Sequence, residues 1–170
     1  MKSLKRFAAL LLAGAMALLM LTACGGGGGG TGTRNKTAEN AVLAKIKDSG
    51  LMATTLSNDP ALCAIAEDHL DRDIKKDLAG KFSILGAECI LDVHVDGKEE
   101  SHLIITATAR YTGGKLTDAI LNYIQQELKK QIPNTNVDVK ANNSWASAGV
   151  VVKSNGKNTY LAVTFKIQKK

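Results

Sequence analysis

Six consecutive glycines, Gly25 to Gly30, divide this 170-residue chain into two parts under unrelated constraints. The stretch 25–36, GGGGGGTGTRNK, carries no apolar residue, so it reads as a flexible tether rather than as packed structure. Such a tether reaches at most ~40 Å when stretched, and about 20 Å on average as a glycine-rich coil. Ahead of it, Lys2, Lys5 and Arg6 form a basic head without an acid, and residues 7–23, FAALLLAGAMALLMLTA, are apolar or small throughout. That order describes a secretory signal peptide. A membrane-spanning helix needs about 20 apolar residues, and this run falls at the low end before stopping at small residues and a cysteine. The 134 residues from 37 to 170 remain, a length that suits one domain with its own core.

Leu21-Thr22-Ala23-Cys24 resembles the lipobox of bacterial lipoproteins. The resemblance implies a diacylglycerol on the Cys24 sulfur and cleavage between Ala23 and Cys24. It also implies an acyl group on the new N-terminus. Two or three acyl chains hold a soluble domain durably on a bilayer, where one chain holds it only marginally. The expected organisation is a signal peptide over 1–23, the lipidated cysteine and tether over 24–36, and an extracytoplasmic domain over 37–170. Its expected place is the cell membrane, lipid-anchored and facing outward, with no cofactor beyond the covalent lipid.

Loss of the leader changes the charge balance. The 22 basic residues less those three leave 19 against 16 acidic ones, a net charge of +3. That is too mild and too scattered for a nucleic-acid partner. Lys166, Lys169 and Lys170 could touch anionic lipid or wall polymer, although a solvated tail is the simpler reading. With Cys24 lipidated, Cys63 and Cys89 are left as a pair, and an exported chain with an even pair invites a disulfide. Such a bridge would close a loop of about 27 residues and add roughly 3–4 kcal/mol. Two buried free thiols are the alternative.

Residues 39–47 place Val42, Leu43 and Ile46 on one helical face. Asp59-Pro60 then supplies an N-cap and a first-turn proline, and Leu62, Ala66, Leu70, Ile74 and Leu78 recur every fourth position until Gly80. Cys89, Leu91, Val93 and Val95 alternate with Ile90, Asp92 and His94, and Leu103, Ile105, Ala107 and Ala109 alternate again, which predicts a hairpin with a loop of three or five residues. Leu116, Ile120, Ile124 and Leu128 mark a third helix before Pro133, and residues 137–141 read as a short strand. A closing hairpin flanks Asn155-Gly156, and a two-residue turn there pairs Val152 with Thr159 and Ala148 with Val163. The fold class expected is α+β, an antiparallel sheet of about five strands with three helices covering one face.

Chemistry has few places to reside. His94 and His102 share the polar face of the first hairpin with Asp92, and a five-residue loop would set the two histidines opposite each other. Two imidazoles and a carboxylate at that distance could hold zinc with a position open for water. The run EDHLDRD, residues 67–73, gathers acids and His69 on one helix and reads as an ion-paired surface. Gly113-Gly114-Lys115 lacks both the earlier glycine and the Ser or Thr of a phosphate loop. Trp145, Tyr160 and Tyr111 could form a binding platform but read more simply as packing residues.

Three further segments carry a family resemblance. LSNDPALCAIAEDHLDRDI (56–74), KFSILGAECI (81–90) and AGVVVKSNGKNTYLAVTF (148–165) are similar to parts of the bacterial CAP (SCP-like) extracellular domains. That resemblance implies a cleft of two His and two Glu. Here Ile84 falls at the first His position and only Glu88 matches a cleft acid, so the implied cleft is degraded. The expected function is therefore a non-enzymatic binding domain on the envelope, with a wall polymer, a peptide or another envelope protein as partner. A divergent CAP-like domain and a metal-binding lipoprotein are the alternatives.

Overall fold

The computed structural model describes residues 31–81, 90–97, 101–110, 118–133 and 136–168. The leader, Cys24, the glycine run, Ile84, Glu88, Cys89, Tyr111, the 113–115 segment, Lys169 and Lys170 lie outside them. The chain enters the fold at β1 (Thr33–Arg34) and continues through α1 (Lys36–Asp48), α2 (Pro60–Leu78), β2 (Ile90–Asp96), β3 (His102–Arg110), α3 (Asp118–Gln131), β4 (Trp145–Ser154) and β5 (Thr159–Gln168). Three helices and a five-stranded antiparallel sheet make it α+β, as its sequence pattern predicts.

The sheet order is β1-β4-β5-β3-β2. Its fifth strand is not the one expected over 137–141. Those residues form an irregular turn, in which Gln125 on α3 donates to Val137 O and accepts from Val139 N, both at 2.9 Å. The fifth strand is β1, drawn from the end of the predicted tether, where Thr33 and Arg34 pair with Ser154 and Lys153. Asn35 then donates to Val152 O and caps α1 through its own Oδ1, which accepts from Ala38 N at 3.0 Å. The folded unit therefore begins at Thr31, six residues earlier than 37.

The β4–β5 hairpin forms in a register two residues away from the expected one. Ser154 pairs with Thr159 and Val152 with Leu161, which leaves a four-residue loop, 155–158. The cause is the Asn155 side chain, whose Oδ1 accepts from Lys157 N at 3.1 Å and Asn158 N at 2.9 Å. This Asx arrangement closes the longer loop, and Gly156 supplies its left-handed residue at φ +85°. A shift of two keeps every side chain on its expected face.

Rows of paired residues run straight across the sheet. One row, Asp92-Thr108-Ala162-Val151, and the next alike, His94-Thr106-Thr164-Gly149, lie on one face. The row Val93-Ala107-Val163-Val150 lies on the other. Both faces are buried along β5, where Ala162, Val163, Thr164 and Phe165 follow one another in the core. Helices on one face alone, the arrangement expected, would have left every second residue wet. Helix α2 crosses β4, β5, β3 and β2, while α1 packs on β4 and α3 on β2. Trp145 and Tyr160 are core residues, not a platform. Trp145 stacks on Phe165 with ring centroids 3.9 Å apart and donates Nε1–H to Val139 O. Among the described residues no helix is long and apolar enough to cross a membrane.

Candidate functional site

The chemistry-bearing residues concentrate where α2 lies on the sheet. Its apolar stripe, Cys63, Ala66, Leu70 and Ile74, packs on Leu91, Val151, Tyr160 and Ala162. Cys63 is a buried free thiol whose Sγ donates to Val150 O at 3.6 Å, and Cys89, its expected disulfide partner, lies outside the described residues. The helix begins as predicted, with Asp59 Oδ1 accepting from Ala61 N and Leu62 N.

Polar residues flank this stripe on both sides, and they face the sheet rather than solvent. His69, Asp73 and Asp77 recur every four residues and are all buried. Of the ion-paired surface expected over residues 67–73, Asp68 and Arg72 do form an exposed ion pair, whereas His69 and Asp73 belong to a buried joint. Strand residues meet its charges, because His69 and Asp73 each stand one residue before a buried apolar one, Leu70 and Ile74, and turn partly inward with it; Leu78, after Asp77, is itself exposed.

On the β2–β3 flank, Asp73 Oδ2 accepts from His94 Nε2 at 2.8 Å and from Thr108 Oγ1 at 2.6 Å, and its Oδ1 accepts from Lys76 Nζ at 3.3 Å. Burial pushes the Asp73 carboxyl up, but the His94 and Thr108 hydrogen bonds, the His94 charge and Lys76 together hold it below its ordinary value. Asp77 accepts from Arg110 Nε and from the Tyr160 hydroxyl, both at 3.0 Å. On the β4 flank, Lys153 Nζ donates to Asp71 at 2.6 Å and sits 2.8 Å from Glu67, which also receives Arg34.

Next to Asp73, two imidazoles stack. The His69 and His94 rings have centroids 4.0 Å apart and planes 20° apart. His69 Nε2 lies 3.0 Å from Asp96 Oδ2, and its Nδ1 lies 3.1 Å from Arg72 Nη2. A guanidinium nitrogen can only donate, so His69 Nδ1 is the acceptor, Nε2 carries the proton and the ring is neutral. Burial, the His94 charge and the Arg72 charge lower the pKa of His69, outweighing the raising effect of Asp96.

The metal constellation expected at His94, His102 and Asp92 does not assemble. His94 pairs with Thr106, and His102 stands four positions farther along β3, bonded to Ser101. At about 3.4 Å per residue that is roughly 14 Å away. Asp92, His94 and Asp73 do gather, with one ligand-type atom from each lying within 4.8 Å of the others. However, the Lys76 ammonium lies 3.3 Å from Asp73 and 3.9 Å from Asp92, so a resident cation already supplies the positive charge there. The cluster is an ion-paired joint.

The sequence signal for His69 and Asp73 is their four-residue spacing beside the buried Leu70 and Ile74, and Asp77 continues that spacing. Lys153, Arg110 and His94 complete the network from strands distant in sequence. No family model matches the chain, and no match is found among curated proteins or solved structures.

Proposed function

We propose that this chain is a lipid-anchored envelope protein whose folded unit works by binding, not by catalysis. The observation that carries the reading is Leu21-Thr22-Ala23-Cys24 between an apolar leader and six glycines. With β1 starting at Thr33, nine residue steps separate it from Cys24. They span at most ~30 Å. The domain is held close to its bilayer, and its partner is an envelope component within that reach: a wall polymer, a peptide or a neighbouring protein.

The polar network supports the non-catalytic half of the proposal. The acids and His69 of α2 are occupied with partners, on the strands or, for Asp68, on the helix itself, and none of them is left as an unpaired base beside a nucleophile. Fractionation of cells expressing the wild type and Cys24→Ala, with the mass of each product, tests the anchor. The wild type is expected in membranes, trimmed before residue 24 and heavier by its acyl chains, and Cys24→Ala is expected off the membrane. Membrane retention and normal trimming of Cys24→Ala would sink the proposal.

A further inference from the structure

We propose that the stacked pair His69 and His94 is a proton-operated latch between α2 and β2, closed while His69 is neutral and released when His69 Nδ1 takes a proton. The latch is a matter of geometry. His69 is locked at both nitrogens, with Nε2–H toward Asp96 on β2 and Nδ1 receiving Arg72 from its own helix. A proton on Nδ1 turns that acceptor into a donor 3.1 Å from a guanidinium that can only donate. The contact must break, and two positive charges are then left side by side.

His94 lies face to face with His69 at 4.0 Å, so a charge on either ring acts on the other at stacking distance. The remaining charged groups divide between the two sides. From α2 these are Asp68, which binds Arg72, together with Asp73 and Lys76. From β2 they are Asp92, near both Lys76 and His94, and Asp96. From β3, Thr108 donates to Asp73, and Arg110 binds Asp77 a turn further on. From α3, Tyr123 lies within electrostatic reach of Asp92. Asp96 favours the charged ring of His69, while Arg72 and a charged His94 oppose it. His69 is also buried, which withholds the water that would solvate the cation.

The sign follows from the direction of the shift. His69 is lowered from 6.5 in the fold, so the unfolded or opened state binds the proton more readily. Its contribution is complete above that value and is lost as pH falls from there through the folded value. Each unit of depression corresponds to about tenfold in the equilibrium between closed and open joint. The inference concerns the fold alone and holds whether or not the chain is lipid-anchored.

Hydrogen exchange of the α2 and β2 amides, measured on the purified protein from about pH 7.5 to about pH 5 and corrected for intrinsic rates, tests it. In the wild type, exchange over residues 69–77 is expected to rise about tenfold across that range. In His69→Gln, whose amide can still donate toward Asp96 and accept from Arg72 but cannot titrate, the rise is expected to vanish. Unchanged wild-type protection, or an equal rise in His69→Gln, overturns the latch. Should His69→Gln fail to fold, an imidazole titration of the wild type by NMR decides. A His69 midpoint below the ordinary value, with His94 shifting in the same step, supports the latch. A midpoint at or above that value overturns it.

Discussion

Gly149 on β4 lies directly against the first turn of α2: a Cβ placed on it would collide with the backbone nitrogen of Cys63. The obstacle is helix backbone, which no side-chain rotation can move aside. Gly149→Ala must therefore lift α2 or bend β4. Overpacking of this kind costs about 1–3 kcal/mol. Gly156→Ala is the control, since Gly156 has open space around it and only its φ of +85° to lose. Strain there costs about 1–2 kcal/mol. Urea midpoints should rank Gly149→Ala as the more damaging, and a reversed order would contradict the close approach.

Asp73→Ala is expected to be among the most destabilising single changes in the polar joint. The Asp73 side chain is fully buried, and its removal takes away the acceptor that His94 and Thr108 share and one of the two carboxylates beside Lys76. Breaking a buried pair in this way costs about 3–5 kcal/mol. Acid supplies a second test. Since the folded Asp73 carboxyl is held below 3.8, its contribution is complete above that pH and is lost as pH falls through the lower folded value. Below pH 3.8 the wild type should lose stability that an Asp73→Asn variant, already weakened, does not lose.

How much of this was legible depended on how local each signal is. The limits of α2 were readable because Asp59, Pro60 and Gly80 act on their own neighbours. The faces of the β4–β5 hairpin were readable too, since alternation survives a shift of two. Its register was not, because Asn155-Gly156 looks like a complete two-residue turn until the Asn155 side chain is seen closing a longer one. Strand β1 was hidden because two residues carry no periodicity. Val137 and Val139 alternate as a strand would, but both are buried in a turn pinned by Gln125. His69, Asp73 and Asp77 look like surface in the sequence because charge alone suggests solvent, and their partners on β2, β3 and β5 are brought to them only by the tertiary fold.

Alkali should weaken the protein through the opposite flank. Burial would lower the pKa of Lys153, but its hydrogen bonds and attraction to Asp71 and Glu67 prevail and raise it above 10.5. The folded state therefore keeps its proton longer, and this contribution is present below 10.5 and lost as pH rises through the folded value. Tyr160, raised from 10.0 by burial and by Asp77, acts in the same direction. Lys153→Met should flatten part of the alkaline loss. At neutral pH it should cost about 1–2 kcal/mol, less than a fully buried pair would, because Glu67 and Asp71 are each about one-third exposed and can rehydrate. Melting temperatures from neutral pH to pH 11 check both statements.

Asn58 closes the outer edge of β4 at Val150 with its side chain, beside its own backbone bridge to Ala148. Its Oδ1 accepts from Val150 N at 2.7 Å and its Nδ2 donates to Val150 O at 3.0 Å, as a neighbouring strand would. On either side the chain itself does this work, with Asp59 N donating to Ala148 O, and Asn35 N donating to Val152 O. Asn58→Ala leaves Val150 N without its partner, at about 1–3 kcal/mol where water cannot reach it, and leaves Val150 O with only the weak Cys63 Sγ donor. It also opens a gap in a ten-residue strand through which a second chain can pair. The expected result is a lower melting temperature with concentration-dependent association, read by calorimetry and light scattering. Asn58→Asp separates the two effects, because it keeps the acceptor for Val150 N while setting a carboxylate against Val150 O, and like charges on two copies oppose their pairing. If Asn58→Asp associates as readily as Asn58→Ala, the edge is guarded by something other than this amide.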